Sequence, residues 1–272
     1  MSHSQKPVQS HLSAELIDQL NFLADKYNDV RFITHDPIQI PHRFSRKEDI
    51  EISGFLAATI AWGNRVSIIK SATRLIEAMD HAPYDFVTHH QPADLRRFEG
   101  FVHRTMNEID VQYFLSALQR IYGEHQDLEA FFVAGDEGGD NLKSALTSFH
   151  ERFFTWEHLP RTRKHLSNPS KGSAAKRLNM FLRWMVRRDQ NEVDFGIWQR
   201  ISPSRLSIPL DVHTGNQARR LGLLGRKQND WKAVEELDSV LKAIDPQDPV
   251  RFDYALFGLG IERKSLKGSD KG

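Results

Sequence analysis

The chain has 272 residues, with 37 Lys+Arg against 36 Asp+Glu, a formal net charge of +1 and 39% hydrophobic residues. Such a chain buries a sizeable core, and its near-zero net charge supplies no global pull toward nucleic acid or membrane. The absence of cysteine excludes disulfides, thiolate zinc sites, Cys-ligated clusters and a Cys nucleophile.

Residues 1–10 are polar, and no apolar run approaches the length of a membrane span. Neither a secretory signal nor a transmembrane helix is therefore expected, and a cytoplasmic location is. Residues 1–10 and 263–272 read as flexible tails around a single unit spanning 11–262. Residues 11–27 place Leu12, Ile17, Leu20, Leu23 and Ala24 on one helical face behind a potential N-cap at Ser13. Residues 28–47 contain two prolines and predict an irregular connection. Residues 48–62 are strongly apolar, through Ile50, Ile52, Phe55, Leu56, Ala57, Ala58, Ile60 and Ala61, and predict a buried helix. Helical periodicity returns at 65–79, 110–123, 140–155, 173–188, 212–221 and 231–243, whereas sustained period-2 alternation is scarce. A Pro-punctuated turn around Asp245–Pro249 precedes a last helix. Its Phe252, Tyr254, Leu256 and Phe257 are expected to pack on the N-terminal helices. Gly258-Leu-Gly260 is too short for a dinucleotide loop and follows no strand. The fold class is all-α.

The charge is uneven. Residues 158–188 hold nine Lys/Arg and no Asp or Glu, so this window carries +9 and the rest of the chain −8. One reading is a solvated basic face; the sharper one is a surface for phosphates. Within the window, Ser170-Lys171-Gly172-Ser173-Ala174-Ala175-Lys176-Arg177 runs a polar turn into a helix. The free N–H groups of such a helix start favour anions. Taken alone, Lys176 reads as a surface lysine. Further on, Asp211 follows Ile208-Pro209-Leu210 and precedes a helix, where an Asp is most often a plain N-cap.

These two landmarks, in this order, carry a resemblance. Gly172-Ser-Ala-Ala-Lys176 resembles the Gly-x-Gly-x-Lys hairpin of helix-hairpin-helix DNA glycosylases. Pro209-Leu-Asp211-Val-His213 resembles their Pro-Val-Asp-Thr-His segment, with Arg220 at the position of the Arg that closes it. Ala57-Ala-Thr-Ile-Ala-Trp62-Gly-Asn64-Arg65 stands where these enzymes end a buried helix in a segment that probes the duplex. Nearly the whole chain is also similar to an uncharacterised bacterial domain family related to that superfamily, through Ala61-Trp-Gly-Asn-Arg65, Lys176-Arg-Leu-Asn-Met-Phe-Leu-Arg-Trp-Met-Val-Arg187 and Ala255-Leu-Phe-Gly-Leu-Gly260. Three positions depart from the glycosylase pattern: Ala174 replaces the second hairpin glycine, Val212 the threonine and Asn216 an arginine. Lys176 and Asp211 stand 35 positions apart, wider than in the common glycosylases and similar to the archaeal 8-oxoguanine enzymes.

The resemblance implies a two-lobed helix-hairpin-helix DNA glycosylase-like fold, with the two chain ends in one lobe and a cleft between the lobes. It implies Lys176 as the nucleophile at C1′ and Asp211 as the carboxylate that assists glycosidic cleavage. The partner would be duplex DNA with a damaged base or an abasic site, gripped by Asn64, Arg65, Lys171, Gly172, Ser173, Arg177, Arg183, Arg187, His213 and Arg220. Asn64 or Arg65 would fill the gap left by a flipped base. Trp62 and Trp184 are candidate stacking surfaces, although a Trp on an apolar helix is more often core. No cofactor and no metal are expected. Two other readings stay open: a helical nucleic-acid-binding module without catalysis, and a metal-dependent hydrolase using His35-Asp36 with His89-His90 and His213.

Overall fold

The computed structural model describes residues 12–269. They are mostly helical, which agrees with the all-α expectation. Helix α1, Ala14–Tyr27, starts at Ser13, whose hydroxyl accepts from the Leu16 N–H at 3.2 Å. The proline-bearing connection becomes three consecutive 3-10 turns, Val30–His35, Pro37–Gln39 and Pro41–Arg43, two of which begin at proline. Helix α2, Lys47–Thr59, is buried at every position from Ile50 to Thr59. It has no polar face because it crosses the middle of the molecule. Phe55 packs there against Phe114, Phe149, Phe153 and Phe181.

Helices α3 (Arg65–Ala78), α4 (Pro83–His89), α5 (Glu108–Glu124), α6 (Leu128–Val133), α7 (Lys143–Phe153), α8 (Lys176–Val186), α9 (Val212–Arg220), α10 (Trp231–Ile244) and α11 (Phe252–Ser269) follow in order. Strands β1 (Val102–His103) and β2 (Met106–Asn107) form a small antiparallel hairpin before α5. Asn107 and Asp110 then close a capping box on α5. The six-residue α6, the seven-residue α4 and the hairpin are absent from the sequence reading. Elements this short show no measurable periodicity.

Helix α2 packs on α3, α4 and α8, and α11 packs on α1 and α9. Phe32 meets Tyr254 and Phe257 edge-on at 5.5 and 5.1 Å, so the chain's last helix does close onto its N-terminal elements. One continuous buried cluster joins Leu20 of α1 to Leu256 of α11. Helix α11 runs on through residues 263–269 of the expected C-terminal tail. Residues 1–10 and 270–272 of the expected tails lie outside the described residues. No helix among the described residues is long and apolar enough to cross a membrane.

Candidate functional site

Helix α8 begins three residues later than its periodicity suggests. Gly172 and Ala175 both adopt left-handed backbone, with φ of 85° and 48°, so the chain cannot become helical before Lys176. For Ala175 that conformation costs about 1 kcal/mol. The turn is held by the Trp231 N–H, which donates to the Gly172 carbonyl at 3.1 Å. Two 3-10 turns, Pro160–His165 and Pro169–Lys171, lead into it where a helix-hairpin-helix motif would have a first α-helix.

Asp211 is delivered by the buried run Ser207–Leu210, which is anchored where the Ile208 N–H donates to Asp238 Oδ1 at 2.9 Å. Asp211 caps α9: Oδ1 accepts from the His213 and Thr214 N–H groups at 2.8 and 2.9 Å. Its Oδ2 is left to face Lys176 Nζ at 4.0 Å. Both side chains are about one-third exposed, at 31% and 37%. The two residues thus meet across 35 positions of sequence, Lys176 as the first residue of α8 and Asp211 as the cap of α9.

They stand in a cleft enclosing about 470 Å³ of empty space, including the part open to solvent. Its walls add Asp36, Arg65, Asp253, Tyr254 and Phe257. Arg65 is exposed and lies over the Phe257 ring, 4.7 Å from its centroid. Asp253 pairs with Arg183 beneath the catalytic candidates. Burial pushes its carboxyl up to about 6; Arg183 opposes this shift and Asp211 reinforces it. Burial likewise raises Asp36, against the pull of Arg65, Arg183 and Lys176.

The other predicted contacts divide into two groups. Asn64, Arg65, Lys171, Gly172, His213 and Arg220 are exposed, with Asn64 also capping α3 through the Ser67 N–H. Ser173 is half-buried, and its hydroxyl accepts from the Ala175 N–H. Three arginines are taken up by partners within the protein, Arg183 while still lining the cleft, which corrects the expected phosphate grip. Arg183 and Arg187 are each only 3% exposed and share Asp194, both at 3.2 Å. Arg187 also holds Asp189 at 2.6 Å and Asp248 at 2.9 Å, while Tyr254 donates its hydroxyl to Asp194. Guanidiniums enclosed by carboxylates have no edge left for a phosphate. Arg177 lies over the Trp62 ring and donates to the Thr59 carbonyl, tying the end of α2 to α8; burial pushes it down to about 10.

Trp184 is fully buried and offers no stacking face, and the half-buried Trp62 already packs against the Arg177 guanidinium and the His165 ring. Asp36 caps a 3-10 turn, His90 is buried against Phe86, and His35, His89 and His213 are exposed. Among the described residues, no group of three His, Cys, Asp or Glu could hold a metal ion.

Sequence reasoning missed Asp253 and took Tyr254 and Phe257 as packing residues alone. A carboxylate inside the apolar run Phe252-Asp-Tyr-Ala-Leu-Phe257 is the signal that was there to find. The model of a family described as a protein of unknown function, DUF2400, matches residues 36–262. The chain belongs to this family. No curated protein and no solved structure matches it. The DUF2400 region begins at Asp36 and takes in every wall of the cleft except Phe32.

Proposed function

We propose that this DUF2400 protein is a DNA base-excision glycosylase with lyase activity, built on a helix-hairpin-helix glycosylase-like fold. The observation that carries the reading is the 4.0 Å approach of Lys176 Nζ to Asp211 Oδ2 inside a cleft. The exposed Asn64, Arg65, Lys171, His213 and Arg220 would meet the duplex around it. A flipped nucleotide would present C1′ to the pair. The glycosidic C1′–N bond breaks, and the base leaves with the electron pair and takes up the proton that Nζ gives up. Nζ, having lost a proton, bonds to C1′, while Asp211 Oδ2 faces the positive charge that develops there. The C1′–O4′ bond then opens with its electron pair moving to O4′, which takes a proton and leaves a protonated imine on Lys176.

Borohydride reduces such an imine to a stable amine. Labelled duplexes carrying an abasic site, 8-oxoguanine or uracil are therefore mixed with the protein and borohydride. We expect a covalent adduct on the abasic duplex that Lys176→Ala abolishes. Asp211→Asn should still be trapped on that duplex while losing about 10²–10³-fold of base release from the productive lesion. No adduct and no base release from any duplex would overturn the proposal. Binding without an adduct or release would favour a non-catalytic nucleic-acid module instead. Two features at the hairpin support that second reading: Ala174 in the place of a glycine, and 3-10 turns in the place of a leading helix.

A further inference from the structure

The cleft contains a carboxylate that the proposed chemistry does not use. Asp36 sits at the junction of two 3-10 turns and is only 8% exposed. Its Oδ1 accepts from the Ile38 N–H at 3.1 Å. Its Oδ2 accepts no hydrogen bond from any described residue, and no cation lies within ion-pair distance of it among them. Asp36 lines the cleft and its Oδ2 is not sealed from solvent, so a ligand that brings a donor makes a bond that the protein leaves to water.

The surroundings specify the shape of that ligand. Phe32, Tyr254 and Phe257 form an edge-to-face aromatic group, and the Arg65 guanidinium covers the outer ring. Aromatic rings beside a carboxylate with an unpartnered oxygen, in a cleft that also holds Asp211, Asp253, Lys176 and Arg183, suit a planar heterocycle with an N–H among the polar groups at its edge.

We propose that Asp36 reads the base in this cleft and selects heterocycles bearing an amino group over those with an imide edge. This rests on the glycosylase reading, in which the cleft takes a flipped base. The selection follows from edge chemistry. An amino group offers its hydrogens outward to a carboxylate. An imide N–H stands between two carbonyl oxygens, so a carboxylate that approaches it also meets two acceptors.

Cytosine and uracil differ at that edge and hardly in size, which makes the free bases suitable probes. The full chain is titrated with each, and binding is followed by ligand-observed NMR. Cytosine is expected to bind at least about tenfold more tightly than uracil. Asp36→Asn retains an oxygen to cap Ile38 but lacks the negative charge, and it should bring the two affinities together. Its thermal melt checks that it folds. Should it not fold, the wild-type ratio decides by itself. Equal affinities, a preference that survives Asp36→Asn, or no binding of either base would overturn the inference.

Lys176 trapping on an abasic duplex needs no base and is measured separately. An adduct without a cytosine preference would remove this inference and leave the glycosylase reading in place. A cytosine preference lost in Asp36→Asn, with no adduct and no base release, would do the reverse.

Discussion

Asp238 is closed off on the inner face of α10, with one oxygen accepting the Ile208 N–H and the other unpartnered among the described residues. Burial pushes its carboxyl up to about 7, and the Ile208 N–H offsets part of that shift. The sign of the consequence is fixed by linkage. Between about pH 4 and pH 7 the folded chain keeps a proton that the unfolded chain has released, so stability falls as pH rises through that window. Glu51, raised by burial to about 7, and Asp253 push in the same direction. Asp238→Asn keeps an acceptor for Ile208 and cannot ionise. Urea unfolding at pH 4.5 and 7.5 should show the wild type losing roughly 3 kcal/mol more than the variant across that interval. Parallel losses would show that Asp238 ionises normally. This residue also bears on the candidate site, because its bond to Ile208 anchors the run that presents Asp211. Lys176 and Asp211 stood out in the sequence through the two motifs that carry the resemblance, since each taken alone reads as a surface lysine or a plain helix cap. Arg183 and Arg187 were misread because the carboxylates that enclose them, Asp189, Asp194, Asp248 and Asp253, all lie beyond the end of the basic window.

At the scale of elements, the crossing of α1 and α11 decides whether one wall of the cleft exists. Asp253, Tyr254 and Phe257 all stand on α11. The two helices approach closely at Gly258, where an added Cβ would lie 2.0 Å from Tyr27 Cδ2. That distance explains a glycine whose sequence context offers no nucleotide-binding role. Gly258→Ala gains helix propensity of roughly 1 kcal/mol but must displace a ring, at about 1–3 kcal/mol. The expected balance is a loss of about 1 kcal/mol and a melting temperature lower by roughly 2–4 °C. A variant that melts higher would mean that Tyr27 yields easily and that the crossing is loose. The longer helices were readable from their apolar spacing. The junctions that join them were not, since close approach between α1 and α11 depends on residues more than two hundred positions apart, Tyr27 and Gly258. The start of α8 was misplaced for a related reason. The left-handed turn at Ala175 is held in part by the Trp231 N–H, far along the chain.

For the whole molecule, the question is how much of its positive charge a polyanion can reach. Read from the sequence, the window 158–188 presents nine cations. In the fold, Arg183 and Arg187 are enclosed by carboxylates, Arg161 pairs with Asp110 at 2.9 Å, Arg163 lies over Phe154, and Arg177 covers Trp62. Of the cations assigned to the duplex, Arg65, Lys171, Lys176 and Arg220 are not enclosed by carboxylates, and two of these come from outside the window; Lys164 and Arg188 of the window are exposed as well but belong to no assigned contact. Each phosphate neutralised on duplex DNA releases condensed counterions and steepens the salt dependence of binding by about 0.9 in log–log slope. Four contacts therefore predict a slope of about −3 to −4, where nine would give roughly −8. Titrations of a labelled abasic duplex between 50 and 300 mM salt separate the two values. Removing the charge at Lys171 or Arg220 should reduce the slope by about one each, whereas replacing Arg187 should lower stability and leave the slope alone. A slope near −8 would mean that a second basic face, away from this cleft, carries the binding.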